Sequence, residues 1–238
     1  MRGLGTIYNV AGILLGGTVG VLFGRRIKVR VQETLLRAVG VCVMVLGLAG
    51  CLEEMLTVTP EGLATQGTMM LIVSFALGAL LGELLDLEDK FDRFGEYLKS
   101  KTGSEGDASF VSGFVSASLT VCIGAMAVVG SIRDGIFGDH SILLAKAVLD
   151  MIIVAVMAAS MGKGCIFSAI PVAVFQGLLT MVAVWIEPVM TAQALSNLSL
   201  TGSVLIFCVG VNLIWEKRFR VANLLPAIIF AVLYSLIP

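Results

Sequence analysis

Charged side chains make up only 14% of this 238-residue sequence, against about 25% in ordinary soluble domains. So few charges cannot clothe a water-exposed globule of this size. The net charge of −1 also leaves no basic footprint for nucleic acid, which is expected to be absent as a partner. There is one histidine, His140, and the five cysteines (Cys42, Cys51, Cys122, Cys165 and Cys208) form no CxxC pair. An odd count scattered through apolar runs excludes a disulfide framework or a zinc site, so the thiols are expected to be free and packed. The sequence has no HExxH, Walker loop, GxSxG, dinucleotide fingerprint or EF-hand spacing. Neither a metal, a cofactor nor an enzymatic activity is therefore expected, and ATP-driven transport by this chain alone has no support.

What is present is hydrophobicity: 58% of residues, with a mean hydropathy of +1.00. Disordered chains are apolar-poor, so disorder is excluded as well. The expectation is an all-α polytopic membrane bundle, a single integral domain whose partner is the lipid bilayer. A hydrocarbon core about 30 Å thick takes roughly 20 apolar helical residues, and eight runs approach that length. They are Leu4–Phe23, Thr34–Leu52, Thr68–Leu85, Ser109–Ile132, Ile142–Met161, Cys165–Ile186, Leu200–Trp215 and Val221–Ile237. The seventh is short, and the fourth, rich in glycine, is a candidate for interruption near Cys122–Ala125.

Lys and Arg placement checks the count. Arg25, Arg26, Lys28, Arg30 and Arg37 flank the first connection; Lys90, Arg93, Lys99 and Lys101 the third; Lys163 the fifth; Lys217, Arg218 and Arg220 the last. The intervening connections carry almost none. Such alternation predicts eight crossings with both termini outside. Between the third and fourth runs, residues 86–101 place Leu87, Phe91, Phe94, Tyr97 and Leu98 at three- and four-residue steps among charges. This is the period of an amphipathic helix in the cytoplasmic interface.

Polar groups inside apolar runs are costly, about 2.5–3.5 kcal/mol for a charge at mid-bilayer on insertion scales, and so point to function. Lys146 and Asp150 lie four apart in the fifth run, on one helix face. They form either an internal ion pair that fixes packing or a cation- or proton-binding site. Ser112, Ser116 and Thr120 make a hydroxyl face on the fourth run, either bonding back to their own helix or lining a pathway. Pro171 is expected to kink the sixth run near Gln176. Asn9 and Asn223 add amides on the first and last runs. His140 and the acidic Asp134 and Asp139 sit in an expected turn-rich outer loop, Arg133–Ser141. The 27 glycines, often spaced small-xxx-small, predict close helix contacts and an oligomer, most simply a two-fold dimer.

Several stretches together resemble a bacterial membrane family catalogued as domain of unknown function 554, at times labelled a transport protein. They are Gly5-Thr-Ile-Tyr-Asn9 through Gly16-Gly17 and Arg25-Arg26, and Cys122-Ile-Gly-Ala-Met-Ala-Val-Val-Gly-Ser131. Gly138-Asp139, Lys146 with Asp150, Ser168-Ala-Ile-Pro171 with Gln176-Gly177, and Arg220-Val-Ala-Asn223 with Pro226 complete the set. The resemblance implies a bacterial inner-membrane protein and supplies no substrate. The expected function is transport of a small solute or ion along helices four to six, through Asp150, Lys146, Ser116, Thr120 and Gln176, with Asn9 and Asn223 in secondary places. The alternative is a membrane scaffold or regulator acting through oligomerisation and the amphipathic helix.

Overall fold

The computed structural model describes residues 2–236 except 25, 61, 216 and 217. Arg25 and Lys217 of the flanking cations, and Ile237 at the expected end of the last run, lie outside the described residues. The helices are α1 (Leu4–Gly24), α2 (Val29–Met55), α3 (Thr68–Leu85), α4 (Leu87–Lys101), α5 (Phe110–Cys122) and α6 (Ala125–Phe137). They continue with α7 (Ser141–Met161), α8 (Ala169–Ile186), α9 (Ala192–Trp215), α10 (Val221–Leu224) and α11 (Pro226–Tyr234). A short antiparallel hairpin, β1 (Leu56–Thr59) and β2 (Gly62–Thr65), joins α2 to α3 with Leu56 opposite Thr65. Among the described residues, six helices or helical stretches are long and apolar enough to cross a membrane, and the bent pair α5–α6, taken as one span, brings the total to seven. The shorter apolar stretch Val221–Tyr234 follows.

Glycine sets how the helices meet. On α1, Gly12, Gly16, Gly20 and Gly24 recur every fourth residue, and each faces a carbonyl of α7: those of Ala147, Met151, Ala155 and Ala159. A Cβ at these glycines would lie 2.1–2.8 Å from those oxygens, so only glycine permits this approach. Both series ascend together, hence α1 and α7 run parallel. By the same test α2 and α9 are antiparallel, with Gly40 against Leu213 and Gly47 against Phe207. So are α3 and the α10–α11 stretch, with Gly78 against Ala227 of α11 and Gly82 against Asn223 of α10. One end of the bundle therefore carries the hairpin, Phe137, Ser141 and Ile186; the other carries α4, Phe110, Met161 and Val221.

The fourth run is broken. Its two halves meet at 61°, with Ile123 extended and Gly124 at φ 143°, a region that side-chain-bearing residues avoid. The pair is still one traverse. Gly164, just past the end of α7, presses on the Phe110 carbonyl, while Gly130 meets Leu143 near the start of α7, so α5–α6 runs the length of α7 in the opposite sense.

Four expectations need correction. Residues 133–137 are helical, not loop. Pro171 does not kink a span. A 3-10 turn covers Lys163–Ser168, and α8 starts only at Ala169, which leaves Pro171 in a first turn where its missing N–H has no partner to lose. The seventh run is not short: α9 starts at Ala192 because its polar residues are paired, Gln193 donating to Asn197 Oδ1 and Asn197 to the Ala231 carbonyl. The last run is divided at Leu225, ahead of Pro226.

The amphipathic helix forms as α4, but it is docked and not merely laid on a surface. Gly95 lets Phe114 and Val111 of α5 approach, and Leu98 is buried with them. At its N-terminus Glu88 and Asn223 cap each other's helices. The Asn223 Oδ1 accepts the Glu88 N–H at 2.7 Å, and the Glu88 carboxylate accepts the Ala222 N–H at 2.9 Å. Each helix thus satisfies an N–H that has no partner within its own first turn.

Candidate functional site

The site begins at the α5 break. Within a continuous helix the Val121 carbonyl would accept from an N–H four residues on, but the helix ends at Cys122. The freed carbonyl accepts instead from Lys146 Nζ at 2.8 Å. The same ammonium reaches Asp150 Oδ2 at 2.6 Å, one turn along α7. An ammonium at a helix C-terminus is further favoured by the negative end of the macrodipole. Both side chains are nearly sealed, 8% and 5% exposed. A buried pair of this kind holds only while both partners and their remaining hydrogen bonds are in place. The pairing reading of Lys146 and Asp150 is therefore the one the geometry adopts, with a third element, the broken helix, that sequence spacing does not disclose.

Asn9 of α1 brings its amide up to the Asp150 carboxylate. Its carbonyl oxygen completes no hydrogen bond with a described residue, although the side chain is fully buried. Five further residues bury polar atoms without a partner among the described residues: Thr6 on α1, Ser131 on α6, Gln176 and Thr180 on α8, and Asn223 through its Nδ2 at the α4–α10 junction. Leaving such groups unpaired costs about 1–3 kcal/mol each, so in a native protein they are met by water or a ligand.

The helix registers gather all of these groups except Asn223 into one band. Thr6 and Thr180 line the same cavity of about 400 Å³ at the hairpin end, with Gly3, Gly135 and Gly177. Asn9 lies about one turn deeper on α1 and Gln176 one turn deeper on α8. Gly135 of α6 packs on Thr180, and α6 and α8 ascend together, so Ser131 comes level with Gln176. Above the band, the buried Asp134 carboxylate accepts the N–H groups of Gly3 (3.2 Å) and Gly5 (2.9 Å) and so caps α1 from another helix.

A second cavity, about 540 Å³, opens at the α4 end and is lined by Glu88, Asp92, Ser112, Ser116, Ser160 and Asn212 among others. Ser116 faces this cavity, whereas the Thr120 hydroxyl turns back to the Ser116 carbonyl at 2.7 Å. Asn223 belongs to neither place; it serves the α4–α10 junction. Of the residues singled out from sequence, the fold brings together Asn9, Lys146 and Asp150 and sets Gln176 level with Asn9. Sequence reasoning missed Thr6, Ser131 and Thr180. Their signal was available, since Thr6 shares a face with Asn9 at three residues and Thr180 with Gln176 at four. Outside the spans, the Ser141 hydroxyl and N–H hold the Asp139 carboxyl below its ordinary range.

Long apolar helices, buried charges paired in the interior and glycine-backed seams define a polytopic α-helical membrane protein. The chain belongs to the family described as Protein of unknown function (DUF554), whose model matches residues 4–236. It is 28% identical over 226 residues to the Uncharacterized membrane protein YdfK of Bacillus subtilis (strain 168), covering 94% of this chain and 92% of that one. It is 27% identical over 236 residues to the Uncharacterized protein YqgA of Escherichia coli (strain K12), covering 96% and 94%. No solved structure matches it.

Proposed function

We propose that this protein carries a small solute or ion across the bacterial inner membrane, along a path bounded by α5–α6, α7, α8 and α1. The observation that supports this most is the broken span. Its freed Val121 carbonyl is held by the Lys146–Asp150 pair, and a band of unpartnered polar side chains leads from there to the hairpin-end cavity. Backbone breaks at membrane depth persist where they are buried in protein or line a hydrated space. The serine-lined cavity at the α4 end offers the opposite mouth, and the Gly124 joint offers a place where α5 and α6 can change angle.

Sidedness follows from the cations. Arg26, Lys28, Arg30, Lys90, Arg93, Lys99, Lys101, Lys163, Arg218 and Arg220 lie at the α4 end, against Arg2 and Arg133 at the hairpin end. By the positive-inside rule this favours a cytoplasmic α4 end, with the hairpin end and both termini outside. Reconstitution in proteoliposomes tests the proposal. The wild type should accelerate flux of at least one member of a panel of potassium salts, urea and glycerol, and Asp150→Asn should abolish it in protein that remains folded and monodisperse. Unchanged flux in the variant removes Asp150 from the mechanism; no flux of any solute in the wild type overturns the reading.

A further inference from the structure

The unpartnered atoms carry information about what passes, an inference that rests on the transport reading and sharpens it. Gln176 leaves both an amide NH₂ and a carbonyl oxygen without a partner among the described residues, and Asn9, its amide turned to Asp150, leaves its carbonyl oxygen. The hydroxyls of Ser131, Thr6 and Thr180 add groups that donate and accept alike. The band thus presents matched donors and acceptors. Its charges cancel or are engaged: Lys146 is tied to Asp150 and to the Val121 carbonyl, and Asp134 to Gly3 and Gly5. Arg2 stands at the cavity mouth with its guanidinium on the Ile136 carbonyl.

A bare cation would satisfy the oxygens but leave the Gln176 amide N–H groups unmet. An anion would satisfy those N–H groups and meet the Asp150 carboxylate beside Asn9. A ligand that suits every group is uncharged and both donates and accepts. Space is provided on the same side: Gly177, next to Gln176, has no atom within 4 Å of where a Cβ would stand, and it lines the cavity.

We infer that the band formed by Asn9, Gln176, Ser131, Thr6 and Thr180 selects an uncharged hydrogen-bonding molecule, either water or a small amide or polyol, over ions. Stopped-flow light scattering of proteoliposomes under osmotic, urea, glycerol and potassium chloride gradients separates the possibilities. The expected result is faster shrinkage or re-swelling in one or more of the water, urea and glycerol arms, with none in the salt arm. Gln176→Leu should slow that flux about tenfold or more. Because this variant removes a buried group that has no partner among the described residues, its thermal midpoint should stay level or rise, so lost flux is not lost folding. Conduction of salt alone overturns this inference and leaves the transport reading standing. Flux of nothing overturns the transport reading itself. Uncharged flux that Gln176→Leu leaves intact removes the band as its selector.

Discussion

The two faces of α1 are built on opposite principles. Toward α7, Gly12, Gly16, Gly20 and Gly24 bring backbone against backbone until no side chain fits between them. Toward α8, the same helix lines a cavity with Thr6, whose buried hydroxyl has no partner among the described residues, while Asn9 stays on the α7 side beside Asp150. Lipid tails are as apolar as leucine, so helices in a membrane are held by close packing and not by a hydrophobic drive. The glycine face supplies that packing. The polar face contributes an unmet demand, which is tolerable because the seam behind it fixes the register. A contrast of this kind separates what holds the bundle together from what the bundle is for.

Three substitutions sharpen the contrast. The largest effect is expected where the seam and the band meet. Lys146→Met strands Asp150 and the Val121 carbonyl in the interior and should cost about 3–5 kcal/mol, read as a fall in thermal or denaturant midpoint in detergent. The double variant with Asp150→Leu should recover much of it, since an uncharged pair leaves no stranded carboxylate. On the seam, Gly20→Ala puts a methyl 2.1 Å from the Ala155 carbonyl oxygen and should cost about 1–3 kcal/mol. On the band, Thr6→Val adds no volume and deletes a hydroxyl without a partner, so the midpoint should move by about 0.5 kcal/mol or less, in either direction. Equal losses at Gly20 and Thr6 would show that the two faces do not differ.

Much of this was legible in the order of residues. Apolar run lengths located the helices, and the cation alternation agrees with the mutual directions the glycine contacts require. The four-residue spacing of Lys146 and Asp150 put them on one face and left open whether they pair or bind an ion, and glycines around Cys122 marked where α5 would stop. What sequence did not show were partners from distant elements. That the Val121 carbonyl would receive Lys146 depends on α5 meeting α7 at one depth. Asp134 looked like a loop carboxylate because its capping role lies in the N–H groups of Gly3 and Gly5, which no local pattern reveals. Asn223 looked like part of the pathway because an amide in an apolar run has the same signature whether it lines a channel or caps α4. The Ser116–Thr120 spacing was ambiguous for a different reason: it suits a shared pathway face and an internal bond equally, and Thr120 took the internal one.

The parallel pairing of α1 with α7 bears on how the protein is made. Parallel neighbours cannot be a simple hairpin, and the mate of the first helix lies in the second half of the chain. While the ribosome is still translating the first three helices, the notched side of α1 has only lipid against it. It closes when the Ser141–Met161 segment arrives alongside. Biogenesis therefore includes a docking step in the second half of synthesis, and chains halted before that segment emerges would present a bare row of glycines to whatever in the bilayer polices unfinished proteins.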